Sequence, residues 1–67
     1  MVRLYKKLRE YNINMNIHMH GETVYFTFNK KNHTDINPVH IDLLELNPDE
    51  AEDILIKHLG IFLDTIK

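Results

Sequence analysis

Five histidines in a chain of 67 residues are the most obvious source of chemistry here. His18 and His20 stand two apart, so on a strand both project from the same face. Paired imidazoles suit a divalent metal, but a zinc site takes three or four ligands. His40 and Asp42 are the next donors along the chain. The simplest pairing of the strands sets His40 beside Asn29, roughly 13 Å from Tyr25 at about 3.3 Å per residue. One ion cannot bridge that gap within one subunit, so no metal site and no cofactor is expected. His18 opposite Tyr25 would make an acid–base pair of the kind a small ribonuclease uses. No recognisable anion site lies beside it in the sequence. Cysteine and serine are absent, which removes thiolate and serine nucleophiles. The expectation is a protein that is not an enzyme.

A second set of residues is basic. Arg3, Lys6, Lys7 and Arg9 crowd the start of the chain, and Lys30-Lys31 follows later. With Tyr5 and Tyr11 nearby, these six are the candidate nucleic-acid contacts. The net charge of −2 argues against such a role for the whole chain. Its distribution is uneven: residues 1–31 balance at +4 and residues 32–67 at −6. The two halves can attract each other within the fold or across a dimer.

The strands that must position the histidines are legible from alternation. Ile13, Met15, Ile17 and Met19 alternate with Asn14, Asn16, His18 and His20; Val24, Phe26 and Phe28 alternate with Thr23, Tyr25, Thr27 and Asn29. Between them Gly21-Glu22 suits a type II′ turn of two residues. That turn fixes the register: Met19 faces Val24, Ile17 faces Phe26, and Met15 faces Phe28. On the opposite face His20 meets Thr23, His18 meets Tyr25, and Asn16 meets Thr27. Val39, Ile41 and Leu43 alternate with His40 and Asp42 and predict a third strand, with the phase slipping at Leu44. The polar stretch over residues 30–38 reads as a loop.

Helices flank the strands. Leu4, Leu8 and Tyr11 share one side of a helix over 2–11. Asn47-Pro48-Asp49-Glu50 is a strong helix start: a capping side chain, a proline at the first position, and acids in the first turn. The apolar positions that follow span an arc of about 220°, against roughly 100° for a surface helix. Gly60 either ends this helix or admits a close neighbour. The predicted architecture is α+β with the order α-β-β-β-α. A three-stranded antiparallel meander (13–20, 23–30, 39–44) carries helices 2–11 and 48–66 on one face, as a single domain over 1–67. Double-stranded RNA-binding domains share this order, but they put lysines where this chain has Asp49, Glu50, Glu52 and Asp53, so no resemblance follows.

The first strand is an edge without charge or proline, which natural sheets usually avoid. The polar face around it lacks lysine and glutamate. With the wide apolar arc of the last helix, these features predict association. The candidate interaction surface is Asn14, Asn16, His18, His20, Tyr25, Thr27, Ile56, Phe62 and Leu63. The function expected is a small binding or regulatory module that acts through protein–protein contacts, as a homodimer, on an unidentified protein partner. Nucleic-acid binding is the alternative, and a histidine-dependent toxin-type ribonuclease a weaker one. The start MVRLYKKLREYN has no apolar core, so no signal peptide is expected. No run is long enough to cross a membrane. A cytoplasmic location follows as an expectation, and the Ile, Asn and Lys richness suggests a low-GC bacterium, its phage or a mobile element.

Overall fold

The hairpin forms in the register that alternation requires. In the computed structural model, β1 (Asn14–His20) and β2 (Thr23–Lys30) pair antiparallel from His20 opposite Thr23 to Asn14 opposite Asn29. Gly21 sits at φ +63°, while Glu22 keeps an ordinary negative φ, as a type II′ turn demands. The structure describes residues 1–35, 37–45 and 47–66. Residue 36, within the loop expected over 30–38, lies outside that set.

Helix α1 (Val2–Tyr11) enters the hairpin through a Schellman cap. Asn12 takes the left-handed conformation at φ 57°, and the N–H groups of Asn12 and Ile13 donate to the carbonyls of Arg9 and Leu8. Asparagine tolerates this conformation better than most residues. The turn brings Ile13 back onto Leu8, and both are buried in the core.

The third strand departs from the expectation. The polar stretch first makes a two-residue strand, β3 (His33–Thr34), which folds back on Lys30 and Asn29 through a turn at Lys31-Asn32. Strand β4 (Val39–Asp42) then continues along the same edge of β2. Between these pairings the chain has four residues, 35–38, against two on β2, Thr27 and Phe28. The tight turn at Lys31-Asn32 takes His40 away from Asn29; continued unchanged, the β3 register would set it opposite Thr23, and the two extra residues move it to Tyr25. The strand expected over 39–44 ends at Asp42, two residues before the phase slip expected at Leu44, and Leu43–Glu45 form a short 3-10 turn. The antiparallel sheet therefore has four strands, with helices against one face.

Helix α2 (Pro48–Thr65) starts where the sequence places it. The Asn47 side-chain oxygen accepts from the N–H groups of Asp49 at 3.0 Å and Glu50 at 3.3 Å. The helix runs through Gly60 without ending there, and a Cβ at Gly60 would meet nothing within 4 Å. That glycine is neither a cap nor a close-approach residue.

The wide apolar arc of α2 has two neighbours. One side packs on the sheet, where Phe28 meets Phe62 with ring centroids 6.1 Å apart. The other side meets α1, with Arg3 and Leu4 against Glu52, and Lys7 and Tyr11 near Ile56 and Gly60. The helices thus run alongside each other in the same direction. Phe28, Leu4, Leu55 and Leu59 are the largest fully buried side chains. No described helix is long and apolar enough to cross a membrane.

Candidate functional site

The helix-free face of the sheet gathers the polar residues of the hairpin. Asn14, Asn16, His18 and His20 of β1 lie beside Asn29, Thr27, Tyr25 and Thr23 of β2. The shifted register of β4 adds two more groups, which sequence alone set apart. His40 completes a row His18–Tyr25–His40, and Asp42 completes a row His20–Thr23–Asp42. The Tyr25 and His40 rings approach to 6.1 Å between centroids at a tilt of 42°. His18 and His40 stand two strands apart, roughly 10 Å in the hydrogen-bonding direction. No group of three or more His, Cys, Asp or Glu among the described residues is arranged to hold a metal ion.

The rim of this face is the β1 edge. Among the described residues β1 pairs only with β2. In a two-residue hairpin the flanking pair, His20 and Thr23, exchanges both ladder bonds, and bonded pairs alternate from there. Met15, Ile17 and Met19 fall at the alternate positions, so their N–H and C=O groups point away from β2. Their side chains belong to the inner face, yet Ile17 is 57% exposed and Met19 is 59% exposed. Met15 is half-buried against the core. The edge thus combines unpaired backbone groups with bare apolar side chains over a stretch with no charged residue.

The three α2 residues of the expected surface are placed differently. Phe62 is only 4% exposed and belongs to the core. Ile56 and Leu63 are partly buried against that core. Contact with both α1 and the sheet accounts for much of the arc, and the exposed apolar residues of α2 are instead Ile54 and Ile61.

The basic residues divide into two groups. Arg3 is engaged within the fold: its guanidinium donates to Glu52 and Asp53, each at 2.8 Å. Hydrogen bonding to Asp53, then to Glu52, raises its pKa further above the usual value. Helix α1 has no side-chain cap of its own, and Glu52 supplies one by accepting the Leu4 N–H at 3.3 Å. Desolvation alone would raise the Glu52 pKa, but the Leu4 N–H, the Arg3 guanidinium and the Met1 amino group hold it below the usual carboxylate value. The basic and acidic halves of the chain meet here. Lys6, Lys7 and Arg9 remain on the exposed surface of α1. Lys30 and Lys31 line a groove of about 830 Å3 together with His33, Lys57 and Tyr11.

One pair was not legible in the sequence. His58 Nε2 and Asp35 Oδ2 form a hydrogen bond of 2.5 Å. Both side chains are largely buried, and the imidazole stacks on Phe28 with centroids 5.7 Å apart. Asp35 is held further by its own N–H donating to the Phe28 carbonyl and by accepting the Asn37 N–H. The pair clips the stretch after β3 onto α2 and so sets where β4 begins. Its members are 23 residues apart, and only the hydrophobic spacing of His58 on the helix hinted at an inward position. Both line a cavity of about 360 Å3 that His33 also reaches.

Comparison with protein-family models, with curated proteins and with solved structures returns no match.

Proposed function

We propose that this chain is a small protein-binding module that works as a homodimer, with β1 of one copy adding antiparallel to β1 of a second. The observation that supports this reading is the free β1 edge, with Ile17 and Met19 more than half exposed. The middle residue of β1 is Ile17. Full overlap about a two-fold axis therefore sets Ile17 against Ile17 of the second copy. Met15 then faces Met19, Asn16 faces His18, and Asn14 faces His20. Each outward N–H and C=O of Met15, Ile17 and Met19 gains a ladder partner. The bare apolar side chains meet one another, and no histidine faces another. The two helix-free faces join into one broad surface of Asn, His, Thr and Tyr side chains, which we assign to the protein partner.

Cysteine scanning tests this arrangement, because the chain has no cysteine of its own. Bonded partners in an antiparallel pair have Cα atoms about 5.5 Å apart, within reach of a disulfide. Ile17→Cys should cross-link to a symmetric dimer on mild oxidation. Met19→Cys should not, because its counterpart is Met15. Equal cross-linking at both positions, or at neither, contradicts the register.

A further inference from the structure

We infer that the groove between the β2–β3 turn and the C-terminal half of α2 binds a nucleotide: a phosphate ester carried on an aromatic ring. Four separate elements send groups to it. Lys30 ends β2, Lys31 opens the turn, His33 lies on β3, and Lys57 comes from α2. Three ammonium groups and an imidazole around one concavity suit the spread charge of a phosphate chain. The groove is not purely polar. Tyr11 at the end of α1 offers a ring at one wall, and Ile61 and Leu63 supply an apolar surface. A base can stack on the tyrosine while its phosphates reach the lysines. At about 830 Å3 the groove lies within the range usual for small-ligand sites. Asp64 is an acidic member of the lining and leaves the positive groups in excess.

The turn itself carries a second sign. Lys31 sits at φ 54° in the left-handed region. It is the first residue of a two-residue hairpin turn, the position that Gly21 holds in the other hairpin at φ +63°. Glycine adopts that conformation freely, whereas a lysine is strained there. A strained lysine at the mouth of a cationic groove is what a retained ligand contact would leave in the backbone.

The test is an NMR titration of the full chain at low salt with three probes: adenosine triphosphate, inorganic phosphate, and a short oligothymidylate. Adenosine triphosphate should give saturable shifts at the amides of Lys31, His33, Gly60 and Ile61. Inorganic phosphate alone should bind at least about tenfold more weakly, because it lacks the ring. Lys30→Gln should weaken adenosine triphosphate binding about tenfold, the scale of one charge-assisted hydrogen bond. Tyr11→Leu should remove the advantage of adenosine triphosphate over inorganic phosphate. If oligothymidylate binds more tightly than the mononucleotide, with shifts reaching Lys7, the groove takes its nucleotide from a single strand. If it binds no better, the ligand is a free nucleotide. Absence of saturable shifts, shifts centred on Lys6 and Arg9, or indifference to Lys30→Gln would each overturn the site. The groove does not involve β1, so Ile17→Lys should leave the titration unchanged.

Discussion

Replacing Lys31 with glycine should make the protein more stable. The substitution keeps the turn and removes only a side chain from a backbone at φ 54°. Holding a residue other than glycine in the left-handed region costs about 1–2 kcal/mol. Glycine adds freedom to the unfolded chain, which returns roughly 0.4–1 kcal/mol of that gain. The net stabilisation is therefore about 0.5–1 kcal/mol, or a rise of roughly 2–8 °C in the midpoint for a domain of this size. Gly21 provides the mirror experiment. A Cβ there meets nothing within 4 Å, so Gly21→Ala adds no clash and isolates the backbone term. It should destabilise by about 1 kcal/mol, and Gly21→Val by more, because β-branching tolerates a positive φ poorly. Urea and thermal unfolding followed by circular dichroism would read both, at one protein concentration because the proposed dimer would make the midpoint depend on it. A Lys31→Gly variant that is less stable than the parent would refute the reasoning. It would mean that contacts of the lysine stem outweigh the strain.

Three further variants probe other parts of the fold. Asn47→Ala removes the oxygen that accepts the Asp49 and Glu50 N–H groups and should cost about 1 kcal/mol in chemical denaturation. Gly60→Ala should stabilise by about 0.5–1 kcal/mol, since the site is helical, exposed and open around the missing Cβ; a loss of stability would place a neighbour there. Glu52 governs acid sensitivity. Its pKa in the folded chain lies below the ordinary glutamate value, so its contribution is present above that value and is lost as pH falls through the lowered one. Glu52→Gln should flatten that limb of the pH–stability curve while also lowering stability near neutrality, and an unchanged acid limb would contradict the role given to Glu52.

The hairpin was legible down to its register because one turn and one alternation specify it twice. The Asn47 cap was legible for a similar reason, since four adjacent residues agree. The β4 register was not, because it depends on a tight turn at Lys31-Asn32 and on two residues in excess between the β3 and β4 pairings, which no local pattern announces. The clip that holds the stretch in place, Asp35 to His58, joins residues with no sequence relation. The turn and the clip together bring His40 to Tyr25 and so form the two polar rows on the sheet. The width of the α2 arc suggests uncovered surface, but a helix packed between a sheet and a neighbouring helix needs apolar residues on both flanks. The Glu52 cap was hidden in the same way. An acid in a first turn already has a local explanation, and its use by a different helix leaves no trace in the sequence.

Sedimentation equilibrium at neutral pH and micromolar concentration tests the central claim, dimerisation through β1, most directly. The wild type should sediment at twice the chain mass of 8.0 kDa. Ile17→Lys should sediment as a monomer, because the two-fold axis sets its lysines face to face. An equal mixture of Ile17→Lys and Ile17→Glu should return to the dimer mass, since opposite charges then face each other across the axis. A mass of 8.0 kDa for the wild type at every concentration, or a dimer that Ile17→Lys leaves intact, contradicts the account.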